Sequence, residues 1–327
     1  MFSIVMKATI DVTIPLMIVA LGGVFAERSG IINLALDGEM IFGAFIGAIF
    51  CKLMIQSGIF AANSQILFLL AMLISMVSGL LLSLLLSFAA IKMKADQTIA
   101  GTALNILAPA IVCAFGLLFF QSEKINSGAT FVITESTYGS SQFGQAVKEN
   151  GFLNFFFNQT YISTYLCILI FVLLSIWLYK SKTGTHMRAC GEHPQAADSV
   201  GINVYRMRLL GTSISGALAG LGGFVYIATA TGTTAESQVG GLGFLALAIM
   251  IFGNWNPVFI ALGSLLFGFL KCLGVLSSQI SFMQSWGLPL YFYNMIPYVI
   301  VIVVLILTHN KSGCPKAEGI PYDKGQR

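Results

Sequence analysis

Read along the chain, the apolar residues neither alternate nor recur at every third or fourth position. They run on for about 17 to 25 residues at a time, with polar residues collected between the runs. Nine runs stand out, at 10–26, 31–51, 66–91, 98–120, 161–179, 209–230, 241–252, 257–274 and 291–308. Backbone amides find no water in hydrocarbon, so each run predicts a helix that makes its hydrogen bonds internally. The seventh run is too short to span and reads as one arm of a hairpin turning at Gly253, Asn254, Trp255, Asn256 and Pro257. The predicted fold class is all-α: a polytopic membrane protein of about nine transmembrane helices with broken or re-entrant segments, over residues 1–310, followed by a tail at 311–327.

Composition supports this pattern. Hydrophobic residues make up 57% of the 327 positions and charged ones 9%, with mean hydropathy +0.86, which excludes an ordinary soluble domain. Two polar stretches are long: 121–159, rich in Ser, Asn, Gly and Thr, and an island at 180–208. With the island placed in the cytoplasm and sides alternating, Arg28, Lys92, Lys94, Lys180, Lys182, Arg188, Arg206, Arg208, Lys311, Lys316, Lys324 and Arg327 fall inside. Only Lys7, Lys52, Lys124, Lys148 and Lys271 fall outside, so the positive-inside rule puts the N-terminus outside and the C-terminus in the cytoplasm. Stretch 121–159 is then external. The net charge of +4 reflects topology, and no dense basic and aromatic patch suggests a nucleic-acid partner. The first run ends in Glu27-Arg28 without a small-x-small cleavage site, so it is expected to be retained. Six cysteines without C-x-x-C spacing read as small buried thiols, with no metal site or disulfide framework. Tyr291, Phe292 and Tyr293, with Trp286, read as an interface belt.

Polar residues inside the runs are the candidate chemistry. Asn33, Asp37 and Glu39 lie in or near the start of the second run, and as a continuous helix it would set Asp37 about 9 Å above Ile31 with Asn33 on the same face. A charge at the helix centre costs about 2.5–3.5 kcal/mol on insertion scales, which invites a functional reading. The fourth run opens at Gln97 and carries Asn105 at about 10–12 Å depth. Amides and carboxylates converging from two helices suit a polar, hydroxyl-bearing solute; bonding across helices or to freed backbone is the structural alternative. Gly43-x-x-x-Gly47 and Gly216-x-x-x-Gly220 predict close helix packing, and Pro15 and Pro109 interrupt spans. The Gly-rich stretch 232–243, with Thr233, Thr234, Glu236, Ser237 and Gln238, reads as an external mouth or a plain loop.

No G-x-x-x-x-G-K-[ST] phosphate loop occurs, so ATP chemistry is not expected on this chain; no catalytic residue and no cofactor are expected either. The residues from Ser29 through Gly30, Asn33, Asp37, Gly38 and Glu39 to Ala44, then Lys94 to Thr98 with Leu104-Asn105, then Arg188 to Gly201, resemble permeases of ABC importers in the ribose and branched-chain amino acid group. The closest resemblance is to the nucleoside branch that works with BmpA-type lipoprotein receptors. It implies a bacterial plasma (inner) membrane location, a second homologous permease subunit, a cytoplasmic ABC ATPase, an external substrate-binding lipoprotein, and a small polar solute, a nucleoside or simple sugar. It implies a substrate path through Asn33, Asp37, Glu39, Gln97 and Asn105, where Asp37-Gly-Glu39 departs from the forms expected in relatives. It also implies a coupling helix within 180–208, involving Arg188, Gly191, Glu192, Pro194, Ala197, Asp198 and Gly201. Pro194 suits a first helical turn, Ala197 favours helix, and Gly191 and Gly201 permit chain reversal at either end. From a different class, an ion-coupled secondary transporter using Asp37 or Glu39 is the alternative.

Overall fold

A computed structural model describes residues 2–58, 64–133, 159–277, 289–308 and 313–325. The apolar runs form α1 (Phe2–Arg28), α2 (Leu36–Gln56), α3 (Ser64–Ser87), α4 (Gln97–Phe120), α5 (Ile162–Lys180), α8 (Val204–Ala230), α9 (Leu242–Phe252), α10 (Pro257–Leu276) and α11 (Leu290–Thr308). The island forms two short helices, α6 (Lys182–Glu192) and α7 (Pro194–Ser199). Among the described residues seven helices are long and apolar enough to cross a membrane, and α9 and the 291–304 part of α11 are shorter apolar ones. The fold of the described residues is thus all-α apart from a two-residue antiparallel ladder, β1 (Ile125–Asn126) against β2 (Thr234–Ala235), with Ile125 opposite Ala235, and an isolated antiparallel bridge between Ile133 and Thr160. Most of the 121–159 stretch, and Trp286 with it, lies outside the described residues.

At the centre stands α8, packed against α1, α2 and α3. Small residues make this possible, since a Cβ on Gly43 would collide with the backbone of Gly220, and one on Gly79 with the carbonyl of Gly216. With no hydrophobic force acting between helices in lipid, such backbone proximity is what dispersion needs. Around this hub, α4 and α5 turn apolar side chains outward, Ile106 and Leu118 of α4 being 74% and 76% exposed. Of the six cysteines, Cys51, Cys167, Cys190 and Cys272 are buried, as their reading as small apolar thiols expects. In the expected aromatic belt Tyr291 is exposed, whereas Tyr293 is buried.

The second run departs from its expected form. Its helix begins at Leu36, and residues 29–35 are not helical. The cause is a left-handed glycine: Gly30, at φ +95°, ends α1 in a Schellman turn, with Ile31 N donating to Ala26 O (3.1 Å) and Gly30 N to Glu27 O (2.8 Å). Apolar Ile31, Ile32 and Leu34 hid this break from a reading based on hydropathy.

Candidate functional site

The break ahead of α2 collects the intramembrane polar residues. Asn33, fully buried, accepts from Ala35 N (3.0 Å) through its carbonyl oxygen. Its amide donates to Glu39 Oε2 (3.0 Å) and to Ser215 Oγ of α8 (2.9 Å). From α4, Asn105 donates to Leu34 O (2.6 Å) and accepts from Gly38 N (2.7 Å), while Gln97 Oε1 accepts from Ile32 N (2.8 Å). These side chains stand in for the helical hydrogen bonds that 29–38 cannot make, as buried backbone groups require. Because 29–35 is not helical, the expected 9 Å rise from Ile31 to Asp37 and the shared helical face of Asn33 and Asp37 do not hold. The two residues diverge. Asn33 turns into the α2–α8 interface, and Asp37 turns towards α9.

Asp37 sits where two helix N-termini meet. In the first turn of α2, it accepts at Oδ1 from Gly243 N in the first turn of α9 (2.8 Å), and Gly243 has no room for a side chain against the Asp37 backbone. Helix N-termini favour negative charge, so the position suits a carboxylate. With 11 residues, α9 is about 16 Å long, roughly half the hydrocarbon thickness. Its far end is fixed at the island end of the bundle, where Trp255 Nε1 donates to Glu27 Oε2 (2.5 Å) and Tyr179 Oη to Trp255 O. The start of α9 therefore lies near mid-depth, and the 232–241 stretch turns inward from the opposite end to reach it. The Gly253–Pro257 turn is where the sequence placed it. Glu27, buried and bonded to that turn, was not singled out by sequence reasoning; a carboxylate beside a run's end reads as a solvated flank.

Beside Asp37 opens a cavity of about 350 Å³ lined by Asp37, Ile41, Pro109, Ser237, Gln238, Val239, Gly240 and Gly241. Its rim is braced by α10 and α11, with Tyr298 Oη donating to Gly240 O (2.7 Å) and Lys271 Nζ 3.5 Å from Tyr298 Oη. Of the expected path residues, only Asp37 lines this cavity.

The island is built differently. Ser181 caps α6 by accepting from Gly184 N (3.0 Å), and Pro194 opens α7 in its first turn as expected. Gly201, at φ +86°, supplies the expected reversal. Gly191 does not: it lies inside α6, where a Cβ would strike Arg28 O, and the turn falls at His193 instead. Its role is close packing on the end of α1. Glu192 pairs with Arg28 (3.5 Å), Arg188 folds back to donate to Tyr179 O (3.4 Å), and Asp198 pairs with Lys324 (3.7 Å). Pro194 and Ala197 are buried. The outward face of the turn and α7 is instead His193, Gln195, Ala196, Ser199 and Val200, the last 75% exposed.

Residues 313–325 bind this island as a strap. Ala317 N donates to Gly191 O (2.9 Å), Ile320 O accepts from the buried Arg208 (2.9 Å), and Lys94 meets Asp323 (2.7 Å). Tyr322 joins Cys190, Ala197 and Val204 in a small core and packs its ring near Tyr205. Burial holds the Cys190 thiol up at about 11, and it raises the Glu318 carboxyl, against which the neighbouring Arg28 acts.

A family model described as the branched-chain amino acid transport system / permease component matches residues 5–305. The guanosine ABC transporter permease protein NupQ of Bacillus subtilis is 36% identical, over 99% of this chain and 98% of its own length. The nucleoside ABC transporter permease protein NupC of Lactococcus lactis is 37% identical, over 95% and 94%. A second nucleoside ABC transporter permease protein of the same organism, NupB, is 23% identical, over 94% and 80%. No solved structure matches. With the match running through every described spanning helix, this multi-pass membrane chain belongs to the permease-component family of the branched-chain amino acid transport system.

Proposed function

We propose that this chain is a permease subunit of an ATP-driven importer of nucleosides in a bacterial plasma membrane. It catalyses no reaction itself. ATP is hydrolysed by a cytoplasmic ABC ATPase, an external lipoprotein receptor delivers the solute, and a second, homologous permease completes the path. The island faces the cytoplasm, with the N-terminus outside and the C-terminus inside, which follows the distribution of basic residues. The strap supports the same side for island and tail, because residues 313–325 pack directly on α6 and α8.

The observation that carries the reading is the pairing of a solute-sized polar cavity at mid-depth with a surface helix whose outer face is bare. In this scheme α7 enters a cleft of the ATPase with Gln195, Ala196, Ser199 and Val200 outward. ATP shifts the transporter only by binding one ATPase conformation more tightly than the other, and α7 passes that bias to the bundle. Asn33, Glu39, Gln97 and Asn105 hold the shape of the path, and Asp37 faces the solute. Two nucleoside permease proteins in one organism, both similar to this chain, support a pair of unlike permeases. The ion-coupled alternative loses its ground with family membership.

The test is reconstitution of the four components in proteoliposomes with labelled guanosine outside. ATP-dependent accumulation that disappears when the ATPase is omitted is the expected result. Accumulation driven by an ion gradient without the ATPase would overturn the proposal.

A further inference from the structure

The polar groups around the helix break fall into two sets. Asn33, Gln97 and Asn105 are engaged with the chain itself through one or more hydrogen bonds. The cavity next to them is lined by two polar side chains that are not so engaged, Ser237 and Gln238, and by Asp37, which is held through one oxygen only. Oδ1 of Asp37 is held by Gly243 N, and among the described residues no donor reaches Oδ2. Neither the Ser237 hydroxyl nor the Gln238 amide makes a side-chain hydrogen bond among the described residues. A carboxylate oxygen, a hydroxyl and an amide therefore converge on one space, with Ile41, Pro109 and Val239 supplying apolar walls.

We infer that this cavity recognises the vicinal diol of a ribose, with Asp37 as its main acceptor. The inference rests on the nucleoside reading above. An ionised carboxylate only accepts hydrogen bonds, and a 2′,3′-diol offers two adjacent O–H donors. The bond from Gly243 N fixes the carboxylate and leaves Oδ2 directed to the solute. Oδ2, with two lone pairs, can accept from both hydroxyls while Oδ1 stays with Gly243 N. Ser237 and Gln238 can each donate to and accept from the hydroxyls. The base then lies against Pro109, Ile41 and Val239, which offer contact area without donors or acceptors on their side chains, so bases of different edge pattern pass alike. Selection by base belongs to the receptor, and the permease checks the sugar. A charge-assisted hydrogen bond made to the hydroxyl and lost without it is the source of the discrimination.

The experiment uses the complete transporter in proteoliposomes, with the same receptor throughout so that receptor preference is common to every arm. Uptake of guanosine, adenosine and 2′,3′-dideoxyguanosine is compared for the unaltered chain, Asp37→Asn and Ser237→Ala. Asparagine keeps an acceptor for Gly243 N, so the helix junction is retained. The expected result is that Asp37→Asn lowers guanosine and adenosine uptake by about tenfold each and leaves the dideoxy compound unchanged. Ser237→Ala moves the ratio of guanosine to dideoxyguanosine uptake in the same direction by a smaller factor. An unchanged ratio in both variants overturns the inference, as does a loss confined to guanosine with adenosine spared, which would assign Asp37 to the base edge. If the unaltered transporter takes up no nucleoside at all, the functional proposal itself fails.

Discussion

The break before α2 and the island after α5 both set polar residues between apolar runs, but they use them in opposite ways. In the break, Asn33 closes on Glu39, Ser215 and the backbone, and Gln97 and Asn105 close on backbone. In the island, Arg188, Glu192 and Asp198 are turned inward to Tyr179, Arg28 and Lys324, which leaves a modest row of His193, Gln195, Ala196, Ser199 and Val200 facing out. In both places, the residues that look most chemical in the sequence hold the scaffold. The exception is Asp37, which in the proposed scheme meets the solute together with the less conspicuous Ser237 and Gln238, while the proposed partner contact falls to the exposed Ala196 and Val200.

The sharpest way to break this comparison is at Asn105. Asn105→Leu leaves Gly38 N and Leu34 O without their partners, at a cost of about 1–3 kcal/mol for each buried group. The purified protein should lose thermal stability in detergent and yield poorly from membranes. A melting temperature equal to that of the unaltered chain would remove Asn105 from the scaffold.

At the island the effect is expected on assembly and not on folding. Ala196→Asp with Val200→Asp places charge on exposed positions, where surface substitutions change stability by about 0.5 kcal/mol or less. Copurification of the ATPase should fall by at least about tenfold with the melting temperature unchanged, the loss of an interface position being worth about 1–2 kcal/mol. Glu192→Gln should do less, since Glu192 is turned to Arg28. If Glu192→Gln abolishes ATPase copurification while the Ala196 and Val200 pair retains it, the assignment of the outward face is reversed.

Much of the architecture was legible in the sequence, because hydrocarbon imposes one rule on every spanning segment and each run forms a helix, the second only from Leu36 and the seventh as the short arm expected. Pro194 and Gly201 were legible for a similar reason: one fixes φ and the other permits a positive φ. The break at 29–35 was hidden, since apolar Ile31, Ile32 and Leu34 carry no mark of being non-helical and the bonds replacing the helix come from residues as distant as Gln97, Asn105 and Ser215. Gly191 was misread because a glycine needed for a turn and one needed for close packing look alike along a chain. Ser237 and Gln238 were visible only as parts of a polar loop, and nothing local says that the loop turns inward to Asp37.

Smaller effects test the strap. Asp198→Lys should weaken its hold on α7, and Asp198→Lys with Lys324→Asp should restore it, read as protease protection of residues 313–325. Protection equal in the single and double variants would make the pair incidental. The smallest effect is at Lys94 and Asp323, where the hydrogen bond between them raises the lysine and, with Gly325 N, holds the carboxyl below its usual range. A depressed carboxyl contributes stability above the ordinary carboxylate range and loses it as pH falls through its own lower value. Cleavage at the strap should therefore become faster on acidification to that range, and the dependence should vanish in Asp323→Asn.

The strap also imposes an order on biogenesis. Residues 313–325 bond to Gly191 and to Arg208, and Lys94 waits for Asp323, so the seat of α7 stays unfinished until almost the whole chain has been made. Contacts of such long sequence separation form late. If the ATPase docks on α7 as proposed, it meets a finished surface only once insertion has been carried through to the strap, so that docking inspects the permease.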